Sequence, residues 1–250
     1  MEGAEQRIRK RDRFKARTKR FVELPLRLRT SDLPKRAGSA AVMLLIAGAV
    51  WWAGGVWLDG FIAAVALACF GELVRLIRRA SASHIRRAAA MVGGALYIGM
   101  AALFLMAIGR SFMLELLLGV IATDTGAYFA GRAIGGPKLA PRISPSKTWA
   151  GLTGGAVFAA LILALEAALS AGEGDARLLA VGAAMLFGVV IASVAQAGDL
   201  LESWLKRKAR MKDSSNLIPG HGGVFDRVDG LVAVSFVLAI IGAPGLLDLW

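Results

Sequence analysis

The sequence predicts an all-α membrane protein: a polytopic helix bundle with about seven transmembrane helices, whose polar loops on the cytoplasmic side form the active site. Three observations lead there. Of the 250 residues, 56% are hydrophobic and the mean hydropathy is +0.60. The apolar residues arrive in runs of about twenty, the length that crosses a bilayer core at ~1.5 Å per helical residue. The cations gather in every second connector, which is the bias that orients membrane proteins. A single cysteine, Cys69 in an apolar run, leaves no intramolecular disulfide and no thiolate metal cluster. It reads as a packing residue.

The chain begins with a basic arm. Residues 1–36 carry thirteen Lys or Arg against five Asp or Glu, which is +8 of the formal +12. The arm is too long and too basic for the leading region of a cleaved signal peptide, so it is expected to stay as a cytoplasmic extension. It contains no nucleic-acid reader motif, and nucleic acid is not an expected partner. Anionic lipid headgroups are, at about 1 kcal/mol per cation near the surface. Phe14 to Leu28 reads as an amphipathic interfacial helix interrupted by Pro25.

A first apolar run, about 37–56, ends among Trp51, Trp52 and Trp57, side chains suited to a headgroup zone. A turn at Asp59-Gly60 leads to a second run, about 61–77, which carries Glu72. That carboxylate is expected either to pair with Arg75 one turn onward or to lie near a substrate headgroup. Residues 75–87 form a basic loop with a solvated His84, and a third run spans about 88–108. The fourth, about 112–130, contains Glu115 and Asp124-Thr125-Gly126. Residues 131–149 hold three prolines, a Gly-Gly pair, cations and no acid, so no continuous helix forms there. Ser144-Pro145-Ser146-Lys147 precedes a helix start at Thr148, where free N–H groups and hydroxyls make an anion site.

The fifth run, about 149–169, opens with Gly151, Gly154 and Gly155, a small-residue contact face. A sixth, about 178–197, leads to Asp199, and a seventh runs from about 231 to 246. Seven spans with a cytoplasmic N-terminus put every basic connector on one side, as in a bacterial-type inner (plasma) membrane. Three units follow: the arm 1–36, the helices of 37–109, and a catalytic part 110–250.

Residues 198–230, GDLLESWLKRKARMKDSSNLIPGHGGVFDRVDG, concentrate the chemistry. Carboxylates such as Asp199, Glu202, Asp213, Asp226 and Asp229 can hold Mg²⁺, cations can neutralise phosphate oxygens, and glycines let amides approach an anion. Helical spacing from residue 226 onward would point Asp226 and Asp229 the same way. Asp213 is expected to pair with a neighbouring cation.

Ser203, Lys206-Arg207, Lys212-Asp213, Pro219, His221-Gly222-Gly223 and Asp226-Arg227-Val228-Asp229, in that order and spacing, resemble the signature of the phosphatidate cytidylyltransferases. Gly230 stands where that family more often has serine. Asp124 to Tyr128, Lys138 to Pro141 and Ser144 to Thr148 also resemble the family in order. The resemblance implies that CTP and phosphatidate, the latter drawn from the bilayer, give CDP-diacylglycerol and pyrophosphate by in-line attack. It implies Mg²⁺ on Asp199 and Asp226 with Asp229 as third ligand or close neighbour, and leaves room for a second cation. Lys206 and His221 join the three aspartates as catalytic candidates. Ser203, Arg207, Lys212, Arg227, Gly222, Gly223, Ser144, Ser146, Lys147 and Asp124 are the candidates for the substrate-phosphate site. A homodimer is expected by resemblance alone. The rival readings are a CTP-dependent polyprenol or phytol kinase, which would release CDP, and a membrane transporter, which would carry its charges within the spans. A CDP-alcohol phosphotransferase would need a D-G-x-x-A-R run that the chain lacks.

Overall fold

A computed structural model of the chain describes residues 33–242. The basic arm up to residue 32, with its expected interfacial helix, and the end of the expected seventh run lie outside the described residues. Among the described residues there are seven helices and one small hairpin: α1 Leu33–Ala53, α2 Gly55–Ala80, α3 His84–Ala107, α4 Arg110–Ala133, β1 Lys138–Ala140, β2 Ser144–Thr148, α5 Trp149–Ser170, α6 Asp175–Lys208 and α7 Phe225–Gly242. Six of the helices are long and apolar enough to cross a membrane. The seventh, α7, carries Asp226, Arg227 and Asp229 at its start and is apolar beyond them. The protein is an integral membrane helix bundle.

The first turn falls elsewhere than expected. Chain reversal occurs at Gly54 and Gly55, with φ of 61° and 48°, and Asp59 lies inside α2. Only glycine adopts that backbone without strain, and the Arg110 side chain packs where a Cβ on Gly54 would stand. The expected loop over 131–149 contains an antiparallel hairpin, Lys138 opposite Thr148 and Ala140 opposite Ser144. Thr148 caps α5 as its sequence context suggests, its hydroxyl accepting from Gly151 N at 3.0 Å.

Small residues bring the helices together. A Cβ on Gly155 would stand 2.8 Å from Thr123 O, and one on Gly126 would stand 2.6 Å from Gly154 O, so α4 and α5 touch backbone to backbone. Gly188 of α6 does the same against Ala160 of α5, where its Cβ would lie 2.6 Å from the Ala160 amide nitrogen. Around this contact an apolar core forms from Leu58, Ile62, Phe104, Leu116, Leu163 and Ile191. A second cluster, Cys69, Leu73, Ile77, Ile98 and Phe225, joins α2, α3 and α7 and gives Cys69 its packing role. Outward faces carry Leu44, Leu67, Leu103 and Leu186, as contact with acyl chains requires.

α6 is the longest element. Its 34 residues extend about 51 Å at ~1.5 Å each, against a bilayer core of ~30 Å. The helix therefore continues past the apolar run and carries Asp199 through Lys208 on its last turns. Replacing Gly155 with leucine is expected to lower the thermal midpoint in detergent by several degrees, since overpacking costs about 1–3 kcal/mol. Gly182→Leu serves as the control, because an added Cβ there meets nothing within 4 Å.

Candidate active site

The site begins where α6 meets α7. A Cβ on Gly198 would lie 2.9 Å from Asp229 O, so only a glycine allows the two backbones this close. That contact sets the next residues on α6 beside the start of α7. Asp199, Glu202 and Asp229 each offer a carboxylate oxygen within 4.8 Å of the others. Asp199 and Glu202 are three residues apart on one helix face. Glu202 is 2% exposed, and its Oε1 has no hydrogen-bond partner while Oε2 accepts from Lys206 Nζ at 2.8 Å.

Two ammonium groups hold this cluster. Lys206 bridges Glu202 and Asp226, with 2.9 Å to Asp226 Oδ1. Lys147, delivered by β2, pairs with Asp199 Oδ2 at 2.5 Å and donates to Gln196 Oε1 at 2.8 Å. Ser203 donates to the other Asp199 oxygen at 3.2 Å. Four carboxylates thus share two ammonium groups. Beside Asp199 opens a cleft of about 500 Å³ between α4, the hairpin and α6, lined among others by Asp124, Tyr128, Arg132, Ser146, Lys147 and Gln196.

The chain from 209 to 224 folds back over the cluster. α6 stops because Arg210 adopts φ 56° and Met211 N donates back to Lys206 O at 2.9 Å. The returning loop is fastened by Glu72 of α2, 6% exposed. Its two oxygens accept from Ser214 Oγ at 2.8 Å, Ser215 Oγ at 2.5 Å, Val224 N at 3.0 Å and Phe225 N at 2.8 Å. Gly223 passes so close that its Cβ would stand 2.5 Å from Glu72 Oε2. The expected pairing of Glu72 with Arg75 is thus replaced: Arg75 is exposed and not among its partners, and the carboxylate serves the loop.

The expected site residues divide. Asp199, Asp229, Lys206, Lys147 and Ser203 come together as described. Asp226 stands outside the group of Asp199, Glu202 and Asp229. It accepts from Lys206, from Ser214 N at 3.0 Å and from Gly223 N at 2.8 Å, which makes it the second fastener of the loop. The Gly223 amide is therefore engaged by a carboxylate, while Gly222 takes φ 89° in the turn that Ile218 closes on Gly222 O at 2.8 Å. Arg227 clamps that turn, donating from Nη2 to His221 O at 2.6 Å. Arg207 reaches back to Ile143 O at 3.1 Å and ties the hairpin to α6. Ser144 is buried and 3.5 Å from Ser146, whereas Ser146, Lys147 and Asp124 face the cleft. Lys212 is exposed, and no ion pair of Asp213 occurs among the described residues.

Gln196 escaped the sequence reading, and Glu202 was named among the carboxylates of the segment without being chosen as a ligand. Glu202 had its signal, the three-residue step from Asp199 on a helix. Gln196 had none, since a lone amide at the end of an apolar run reads as packing.

Comparison with known proteins follows the same segment. A family model described as the cytidylyltransferase family matches residues 95–243. The chain belongs to the cytidylyltransferase family. Its relatives include phosphatidate cytidylyltransferases from Brucella suis, 46% identical over 156 residues covering 60% of this chain and 56% of that protein. The Haemophilus influenzae protein is 44% identical over 128 residues, 50% of this chain and 43% of its own. That from Bacillus subtilis is 38% identical over 156 residues, 58% of this chain and 56% of its own. The chain thus spans about half the length of the curated relatives it matches. Every cluster carboxylate lies in the matched segment of the family, whereas Glu72 precedes it.

Loss of the Glu72 anchor is expected to free the loop while leaving the bundle intact. In Glu72→Ala, hydrogen exchange at the Val224 and Phe225 amides should accelerate at least about tenfold, the effect of ~1.4 kcal/mol in local opening. Unchanged exchange would show that the loop is held by other contacts.

Proposed function

We propose that this chain transfers the cytidylyl group of CTP to phosphatidate, giving CDP-diacylglycerol and pyrophosphate at the cytoplasmic face of a bacterial inner membrane. The observation that carries this reading is the gathering of the Asp199, Glu202 and Asp229 carboxylates beside a cleft lined by Lys147 on a membrane bundle. The matched relatives carry that activity in their names.

The residues fit a divalent cation. All donors are carboxylate oxygens, the type that Mg²⁺ prefers. Their oxygens lie within 4.8 Å of one another, close to the roughly 4.2 Å across a Mg²⁺ shell of ~2.1 Å bonds. The buried Glu202 Oε1, which lacks a partner, is the atom such an ion would satisfy. Asp199, Glu202 and Asp229 would hold the ion, and Asp226 would hold the loop that covers it. When bound, Mg²⁺ neutralises the charge that develops on phosphate oxygens.

Protein groups supply the rest. Phosphatidate is itself an anion with a ready nucleophilic oxygen, so no strong general base is needed. Lys147, poised at the cleft on Asp199 and Gln196, can shift its ammonium to an incoming phosphate. Lys206, shared by Glu202 and Asp226, offsets the charge of both. Arg132, exposed at the mouth beside Tyr128, adds positive charge where a lipid headgroup would enter from the bilayer. Such catalysis is positioning and charge neutralisation, without a covalent intermediate.

Orientation rests on the cations: the α2–α3 loop, the hairpin and the 209–224 loop all crowd the end of the bundle that holds the cleft. Purified protein in bilayers, given CTP, phosphatidate and Mg²⁺, is expected to release pyrophosphate and form CDP-diacylglycerol. Release of CDP with phosphorylation of a lipid alcohol would instead establish a kinase. Glu202→Gln is expected to cut turnover about 100-fold and to move the Mg²⁺ dependence to higher concentration, as loss of a charged ligand should. Unaltered Mg²⁺ dependence in that variant would remove Glu202 from the metal site.

A further inference from the structure

α1 stands apart from the bundle: none of the residues of its spanning stretch is buried, and only Val50 and Trp51 near its far end pack on the core. Its polar end nevertheless makes a specific contact 180 residues away in sequence. Ser39 Oγ lies 3.0 Å from Pro219 O, 2.9 Å from His221 Nδ1 and 3.0 Å from Arg36 O of its own helix. Arg36 lays its aliphatic stem over the same turn, where a Cβ on Gly220 would meet Arg36 Cγ at 2.8 Å. Gly220, at φ 77°, is thus required both by the backbone and by the space.

We propose that Ser39 is a positioning residue that fixes the His221 imidazole for the transfer reaction. The proposal rests on the proposed cytidylyl transfer, with His221 as one of its catalytic candidates. A hydroxyl has one proton and three oxygen or nitrogen neighbours here. With its proton on the Pro219 or Arg36 carbonyl, Oγ is left as an acceptor, so Nδ1 must carry hydrogen and donate to it. The nitrogen left for a phosphate oxygen is then Nε2, and which nitrogen is protonated is set by the bond the other one makes. The same arrangement serves the protonated ring without rearrangement, because Nδ1–H already points at an acceptor while Nε2–H can donate to the departing pyrophosphate. From the other side Arg227 holds the His221 carbonyl, so backbone and ring are pinned separately. The neighbouring helix α1 thereby becomes part of the site, although it contributes no group to the carboxylate cluster.

The chain has two histidines, His84 and His221, so selective ¹⁵N-histidine labelling yields two ring systems that a His84→Gln variant assigns. In the unaltered protein the His221 ring is expected as the Nδ1–H form. Ser39→Ala should shift the ring toward Nε2–H, and Ser39→Thr, which keeps the hydroxyl, should preserve the original signal. With CTP and phosphatidate, Ser39→Ala should lower kcat about tenfold with KM for phosphatidate unchanged, and Ser39→Thr should restore it. Identical ring signals in Ser39→Ala and the unaltered protein would overturn the proposal, as would full kcat in Ser39→Ala despite an altered ring. If the unaltered protein turns over no CTP, the functional reading fails on its own evidence. The ring signals would then still decide whether Ser39 sets the tautomer.

Discussion

A carboxylate buried inside a bundle of apolar helices loses hydration worth several kcal/mol, and that cost is offset only by donors brought to it. Glu72 meets this requirement with two serine hydroxyls and two backbone amides from a loop some 150 residues away. The dependence is mutual. The loop has no core of its own, and its amides would be exposed or unsatisfied without the carboxylate. Because Phe225 N is among the donors, the same bonds fix the first turn of α7 and hence the height at which Asp229 faces Asp199 and Glu202.

The electrostatics of the cluster build on that placement. Asp226 and Lys206 form a largely shielded pair, with side chains 5% and 15% exposed, and Lys206 extends the link to Glu202. In so dry a setting several carboxylates side by side are costly, and the two lysines offset part of that cost. Lys147 is as shielded as Lys206, but its partner Asp199 is the wetter carboxylate, with its side chain 36% exposed at the cleft. A weaker, solvated pair can exchange partners with little penalty, whereas the Lys206 bridge cannot.

Close packing sets the frame for both. Glycines at 126, 151, 154, 155, 188 and 198 let α4, α5, α6 and α7 approach to backbone contact, the main attraction available where lipid offers no hydrophobic contrast. α1 is the exception, since it is joined to the rest chiefly at its two ends.

Composition and periodicity alone determined that this is a membrane bundle, because burying backbone polar groups in hydrocarbon leaves the helix as the local solution for each apolar run. Hydropathy likewise revealed the positions of the runs, the contact role of Gly151 to Gly155 and the packing role of Cys69. The ordered spacing in 198–230 was enough to place Asp199, Lys206 and Asp229 near one another, since each sits at an end of a predictable helix. The break at Gly54, which the sequence reading put at Asp59-Gly60, depended on the side chain of Arg110 from another helix. Only the tertiary structure decided the division of labour among carboxylates. Asp226 and Asp229 look equivalent as letters, yet loop amides reach one and α6 reaches the other. Glu72, Gln196 and Ser39 acquired their roles in the same way, from partners tens to hundreds of residues distant that no local pattern encodes.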